Sequence, residues 1–305
     1  MNTNIDFINQ LIKNGLQRNE VFDMIPNNAS KILDIGYGDG ALLMRLKYQK
    51  KCTDLYGLEM RIKNELDDHL DGNWNIDLFD NDNEIFQKYN AYFEYIILHD
   101  VIEHIHNPWL FLQSVHQLLS THGTCIIVTP NAQFWEVPYA LLSGLFPYGA
   151  HGFWNEDHIR WYTMKSLVET AILSGFAVDK AILMYPERLS KFSKAFQMIL
   201  QENKQEIEIP PMSWDASHLE SHFPFTSPTL QGSLKIKVST DANNIYPYLM
   251  AVKLIIKCKK SSSTQKFQLY PGSLTHYRKK FITETKAQKI TTLFPNSVET
   301  ILERR

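Results

Sequence analysis

The stretch His99-Asp-Val-Ile-Glu-His104, with a further histidine at 158, gathers the side chains best suited to move a proton or hold a cation. A neutral imidazole accepts a proton near ~6.5, so His104 and His158 are candidate general bases, with Glu103 beside them. The same residues are candidate ligands. If residues 100–105 form a helical turn, Asp100, Glu103 and His104 share one face. Mixed oxygen and nitrogen donors, completed by His158, suit Mg²⁺, Mn²⁺ or Zn²⁺. A plainer reading stands beside both. Asp-x-x-Glu is a capping box in all but its first residue type, and His104 also reads as a satisfied structural histidine.

The elements that must position these residues follow from the pattern around them. Tyr95-Ile-Ile-Leu98 is a strongly apolar strand ending at the motif. Asn107 as N-cap and Pro108 at the first helical position start the next helix, which packs through Trp109, Leu112, Val115 and Leu119. Gly123 follows that helix, and Thr124 to Thr129 reads as the fifth strand. Earlier in the chain, Lys31 to Ile35, Asp54 to Glu59 and Asn75 to Leu78 read as the first three strands. Thr163 caps a helix running to Ser174-Gly175, Phe176 to Met184 is strand six, and Tyr248 to Cys258 returns antiparallel as the seventh. Strands separated by helices predict an α/β, doubly wound sheet. Residues Ile5 to Ile25 show helical spacing closed by Pro26. Between Ala132 and Asp157 lies an irregular stretch rich in Phe, Trp, Tyr and Gly, a substrate loop at the carboxyl end of the sheet. Residues 190–204 look helical, and 210–244 carry no readable pattern.

Strand one runs into Gly36-Tyr-Gly-Asp-Gly40, after which a helix opens at about Gly40 and continues to Tyr48. Glycines let the backbone turn sharply and approach a ligand, and the helix aims free N–H groups back at the turn. This is a nucleotide-binding loop with two readings. Gly36, Gly38 and Ala41 satisfy the dinucleotide pattern G-x-G-x-x-G/A. Asp34 followed by Gly36, Gly38 and Gly40 satisfies an acidic G-x-G-x-G pattern instead. In either case Glu59, at the end of strand two, suits the two hydroxyls of a ribose.

The bulk numbers describe an ordinary globular chain. It has 305 residues, 44% hydrophobic and 21% charged, enough for one sizeable core plus additions. The net charge of -2 hides an asymmetry: from Lys253 to Arg305 there are 12 Lys/Arg against 3 Asp/Glu. A basic tail on an acidic body can contact an anionic partner or a membrane surface, or remain a solvated end. The three cysteines, 52, 125 and 258, are odd in number and widely spaced, as expected of free thiols in a reducing compartment. With a polar start and no long apolar run, the expected location is the cytoplasm. The expected organisation is a helical cap over 1–25, a central domain over 26–258 with insertions at about 132–157 and 186–245, and a basic tail over 259–305.

Taken in order, Leu33-Asp-Ile-Gly-x-Gly-x-Gly40, Gly57-x-Glu59, Asp100-Val-Ile-Glu-His104, Thr129-Pro-Asn131 and His158-Ile-Arg-Trp-Tyr-Thr163 resemble one family. It is the UbiG-like group (methyltransferase type 11/23) of class I S-adenosyl-L-methionine (SAM) methyltransferases. The resemblance covers roughly residues 20–185 plus the last strand. Tyr37 departs from the frequent cysteine, and Phe93-Glu94 from the usual Phe-Asp. The resemblance implies a Rossmann-like sheet of seven strands with an N-terminal helix, an inserted substrate loop and a C-terminal extension. It implies that Gly36, Gly38 and Gly40 cradle the methionine half of SAM, that Asp34 orients its ammonium, and that Glu59 holds the ribose. Asp77 and Leu78 would meet the adenine, and the backbone at Leu98 and His99 would flank the amino acid group. A carboxylate at Asp34 suits a positive ammonium and repels a pyrophosphate, which disfavours a nicotinamide cofactor. The order Asp100-x-x-Glu103-His104 with His158 also resembles the metal site of the small-RNA ribose methyltransferases, with Asp in place of their first Glu.

Methyl transfer from a sulfonium is an in-line displacement, so alignment supplies much of the rate, on the order of 7–11 kcal/mol. An alkyl hydroxyl is about as weak an acid as water, at ~15.7. Transferring its proton fully to an imidazole beforehand would cost about 12 kcal/mol at ~1.36 per unit. Either a base takes the proton as the bond forms, or a metal acidifies the hydroxyl. The expected function is therefore O-methylation of a sugar, glycan precursor or small metabolite. A metal-assisted RNA ribose methyltransferase and a non-catalytic SAM-fold scaffold are the alternatives. The acidic body argues against nucleic acid, whose phosphates need a positive surface beside the site.

Overall fold

A computed structural model of the chain describes residues 3–14, 18–59, 66, 69–75, 85, 88–142, 144–150, 152–185, 206–209, 234–237 and 248–261. Seven strands form one sheet: β1 (Ile32–Ile35), β2 (Leu55–Glu59), β3 (Gly72–Asn75), β4 (Phe93–His99), β5 (Leu119–Pro130), β6 (Phe176–Met184) and β9 (Lys253–Lys260). Their order across the sheet is β3-β2-β1-β4-β5-β9-β6. The first five strands pair in parallel, while β9 lies antiparallel between β5 and β6. Two short strands, β7 (Glu206–Ile209) and β8 (Leu234–Lys237), form a separate hairpin. The strand order reverses between β1 and β4, and the crevice beyond their carboxyl ends is where such sheets bind ligands.

Both faces of the sheet are covered, so the central strands are apolar throughout. On one face Leu33, Ile35, Ile96 and Leu98 pack against α4 (Pro108–Leu118) and α6 (Met164–Leu173). On the other, Ile32, Ile97, Ile126 and Ile255 pack with α3 (Ala41–Lys50) and with Leu11, Val21 and Ile25 of the N-terminal region. All three cysteines are buried free thiols. No helix among the described residues is long and apolar enough to cross a membrane.

Several expected boundaries move. The N-terminal pattern is two helices, α1 (Thr3–Asn14) and α2 (Asn19–Met24), where one was expected; Asn14-Gly15 is a helix-stop signal that the apolar spacing runs across. Lys31 stands before β1 in a left-handed conformation, with φ 53°. The third strand is Gly72–Asn75, earlier than the expected 75–78, because β2 pairs with it through Glu59 and Asn75. Asp77, Leu78, the expected helix at 190–204, the stretch 210–233 and the tail beyond 261 lie outside the described residues. The aromatic stretch is not irregular throughout: α5 (Glu136–Leu142) runs inside it. The seventh strand starts at Lys253, later than Tyr248.

Thr163 caps α6 as expected, and Ser166 completes the box by bonding back to the Thr163 backbone. That cap sets where the segment carrying His158 leaves the body of the protein. Thr163→Ala should lower the unfolding free energy by about 1 kcal/mol in urea titrations, with Thr163→Ser close to the parent. An unchanged midpoint for the alanine variant would show the cap to be dispensable.

Candidate functional site

The turn after β4 begins with strain. Asp100 has φ 55°, a left-handed conformation that a short polar side chain tolerates better than most. It leads into one turn of 3₁₀ helix over Ile102–His104, so the expected helical turn forms. It is not started by a capping box, since no side chain caps it. The Glu103 side chain turns inward, 1% exposed, and its Oε2 accepts a hydrogen bond from Thr129 Oγ1 at 2.9 Å. Its main-chain carbonyl accepts from the N–H groups of both Ile159 and Arg160. Arg160 also donates through its guanidinium to the carbonyl of His106. These bonds lace two segments together that are far apart in sequence, and they bring His104 and His158 to a ring separation of 4.8 Å.

Both histidines are held the same way. His104 Nδ1 lies 3.0 Å from the Asp157 carbonyl and His158 Nδ1 lies 2.8 Å from the Phe153 carbonyl. A carbonyl can only accept, so each Nδ1 carries the proton and each Nε2 presents a lone pair. Histidines that ligate metals are oriented by this kind of bond. His158 Nε2 stands 3.9 Å from Glu103 Oε1, an oxygen that is buried without a hydrogen-bond partner. One ligand atom from each of Glu103, His104 and His158 lies within 4.8 Å of the others. Asp100, expected among the candidate ligands, is drawn aside: its carboxylate meets the Lys253 ammonium and approaches His99 Nδ1 at 3.2 Å.

The electrostatics follow from burial and partners. Burial, reinforced by the Asp100 charge, pushes the Glu103 carboxyl up to about 8. Burial lowers His158 and keeps its imidazole neutral, with His104 adding to the effect. Burial would also raise Asp100, but the His99 contact and the charges of His99 and Lys253 outweigh it and hold the group below the usual carboxylate range. A donor set of two imidazole nitrogens and a carboxyl with a spare oxygen suits a borderline divalent cation, which would displace the carboxyl proton on binding.

At the end of β1 the glycine turn has the geometry the sequence leads one to expect, with φ of 73°, 60° and 75° at Gly36, Gly38 and Gly40. The glycines differ in purpose. A Cβ on Gly36 would lie 2.5 Å from Val101 Cγ2, and one on Gly40 would strike Leu66, so the fold itself needs both. A Cβ on Gly38 would meet only Arg18 Nη2, at 3.7 Å, so packing leaves space there and the positive φ is what favours glycine. Its N–H donates to Glu59 Oε2 at 3.0 Å, which places Glu59 against the loop. Asp34 is fully buried, and neither of its oxygens is hydrogen-bonded. The nearest charge is Arg18 Nη1 at 3.7 Å, itself buried without a hydrogen bond. Leu98 is buried at the end of β4, and His99 links onward through Nε2 to Glu20 at 3.4 Å.

Arg18, Glu20, Thr129 and Lys253 are site residues that spacing did not reveal. Thr129 was legible within Thr129-Pro-Asn131, but its partner was not. Asn131 is fully buried and donates to the carbonyls of Tyr248 and Ala251, which fixes the approach to β9 and hence Lys253. A cavity of about 440 Å³ opens here, lined by Asp100, His104, Phe134, Phe153, His158 and Lys253 among others.

Comparison with known proteins matches residues 6–181 to a family model described as a methyltransferase domain. No curated protein matches the chain. Among solved structures, a SAM-dependent methyltransferase from Archaeoglobus fulgidus is similar at 15% identity, over 82% of this chain and 94% of that one, with a TM-score of 0.46. The 1,6-didemethyltoxoflavin-N1-methyltransferase of Burkholderia thailandensis, with 1,6-didemethyltoxoflavin and S-adenosylhomocysteine bound, is similar at 12% identity. That likeness spans 77% of this chain and 72% of that one, with a TM-score of 0.41.

Burial raises Asp34 from 3.8 to about 6, against the pull of Arg18 and His99. A raised carboxyl adds stability below its unfolded value, and that contribution is lost as pH rises through the folded value. Above about pH 6 the ligand-free protein therefore carries a penalty on the order of 3 kcal/mol at ~1.36 per unit. Asp34→Asn should stabilise the ligand-free protein in urea at pH 8 and gain clearly less at pH 4.5. Equal gains at the two pH values would refute the burial account.

Proposed function

The chain is an S-adenosyl-L-methionine-dependent methyltransferase of the methyltransferase-domain family, and we propose that it methylates a hydroxyl of a sugar, glycan precursor or small metabolite at a site that holds a divalent cation. One observation carries this reading: two histidines tied through Nδ1 to backbone carbonyls, with His158 Nε2 3.9 Å from the unpartnered Glu103 Oε1 and a ligand atom of each of the three residues within 4.8 Å of the others. Within the family, the motif order favours the UbiG-like group.

The donor slot has a negative end at Asp34, fully buried with neither oxygen hydrogen-bonded, and a positive end at the partly exposed Arg18, whose buried Nη1 makes no hydrogen bond. An α-amino acid group fills such a slot, with its ammonium on Asp34 and its carboxylate on Arg18. Glu59 holds the ribose, and its bond to Gly38 keeps the loop open for it. Asp77 and Leu78 remain the residues proposed for the adenine. When bound, SAM supplies the methyl group on a sulfonium, and the cation supplies Lewis acidity that makes a hydroxyl easier to deprotonate.

The protein's own residues do the rest. Glu103, His104 and His158 would hold the cation, with Thr129 fixing the Glu103 carboxylate. His104 has one lone pair to offer, on Nε2, because Nδ1 is tied to the Asp157 carbonyl: with the cation bound it would serve as a ligand, and without the cation it would be the base that takes the hydroxyl proton as the new bond forms. Phe134 and Phe153 present apolar walls that exclude water from the transfer. Among the described residues lining the cavity, Lys253 is the single Lys or Arg, and it is already bound to Asp100. That weighs against the RNA reading.

Transfer of radiolabelled methyl from SAM into fractionated cell extract should stop with EDTA and return with Mn²⁺. His104→Ala should slow it by about 10²–10⁴ while S-adenosylhomocysteine affinity holds. His158→Ala should weaken Mn²⁺ binding at least about tenfold, the scale of a lost supporting contact. Full activity in EDTA would sink the cation, and unchanged turnover in His104→Ala would remove that residue from proton transfer.

A further inference from the structure

Four polar side chains of the cavity are used by neither the donor slot nor the cation site; Asp100 is taken up by Lys253 and Asn155 Oδ1 accepts from the Asp157 N–H, which leaves Glu136 and Lys253 to meet an acceptor. Glu136 stands at the start of α5, inside the aromatic stretch. Its carboxyl makes no hydrogen bond or ion pair among the described residues, and burial alone pushes its pKa up. Lys253, at the start of β9, spends one of its three N–H groups on Asp100. Asp100 is approached in turn by His99, and His99 by Glu20. This chain of contacts fixes the Lys253 ammonium at the cavity wall and offsets its charge. A half-buried carboxyl with no partner among the described residues is open to solvent on the cavity side, where a bound hydroxyl can replace water.

The rest of the lining restricts what can bind. Pro130, Phe134, Phe153 and Val252 are apolar, and flat aromatic walls suit the C–H faces of a ring. Apart from the proposed cation, a phosphate dianion would find a lysine already neutralised by Asp100, with Glu136 repelling it. An amine would meet the Lys253 ammonium. A plain catechol would leave Glu136 and Lys253 unpaired on its far side. A site built to hydrogen-bond polar groups rejects an analogue that lacks them.

We infer that Glu136 and Lys253 are the acceptor-recognition pair of this enzyme: Glu136 accepts from one ring hydroxyl, Lys253 donates to a second oxygen, and the acceptor is a neutral polyhydroxylated ring, a sugar. The inference rests on the proposed reading of the cavity as the acceptor site and is independent of the cation.

Saturation-transfer NMR on the full chain with S-adenosylhomocysteine tests it, with and without Mg²⁺. The probes are a panel of methyl hexopyranosides and pentosides, with catechol and phenyl phosphate as competitors in class. At least one glycoside should show saturation transfer. Glu136→Ala and Lys253→Met should each weaken its binding fivefold or more, while Glu136→Gln, which can still accept, retains part of it. S-adenosylhomocysteine affinity by calorimetry should stay within twofold in all three variants, which establishes that they are folded. A silent glycoside panel, a glycoside signal that survives both variants, or preferential binding of catechol or phenyl phosphate would overturn the pair. Failure of the cation reading would appear separately, as absent Mn²⁺ binding, with the glycoside signals intact.

Discussion

The buried carboxyl of Glu103 is the constraint around which the site is built. Its backbone carbonyl receives two N–H bonds from the 159–160 segment, and one carboxyl oxygen receives the Thr129 hydroxyl. The other oxygen is left with nothing. An unsatisfied buried acceptor costs on the order of 1–3 kcal/mol, and such a cost persists in a folded chain when something else offsets it. Here the same residue joins the turn after β4, the end of β5 and the loop bearing His158, so the strain sits at the one point where all three meet.

Asp34 repeats the arrangement on the donor side. It too is a fully buried carboxyl with unpaired oxygens, and the cation nearest to it stands beyond hydrogen-bond distance. Burial raises both groups, so at each position ionising the carboxyl costs the fold. Stability and function pull in opposite directions at these positions. The glycines around Asp34 also differ: an added Cβ would collide at Gly36 and Gly40 and would not at Gly38.

The sheet supplies the frame. Parallel strands β1 and β4 end side by side at the point where the order reverses, so the glycine turn and the Asp100 turn open into one crevice. The antiparallel insertion of β9 between β5 and β6 brings residue 253 beside residue 100. Asn131 ties that insertion down, because its buried amide N–H groups are satisfied by the carbonyls of Tyr248 and Ala251 in the segment leading into β9.

Local chemistry in the sequence was enough to determine β1, β2, β4 and β5 as parallel strands, though not the position of β3, together with the glycine turn and the Asn107 and Thr163 caps, and it singled out Glu103, His104 and His158 alongside Asp100. Each depends on residues within a few positions, or on side-chain types that have few other uses. Periodicity placed β6 to the residue, because its length is bounded by Gly175 and by the residues after Met184. It missed α5 because an aromatic-rich run has no clean helical stripe, and it merged α1 with α2 because apolar spacing alone runs through a stop signal. What only the tertiary structure decided are the long-range partners: Thr129 with Glu103, Arg18 with Asp34, Glu20 with His99, and Lys253 with Asp100. The last of these removed Asp100 from the ligand set that its spacing suggested. A charged side chain takes the partner that burial and strand order bring within reach, and that choice is made by the packed sheet, not by the neighbouring residues.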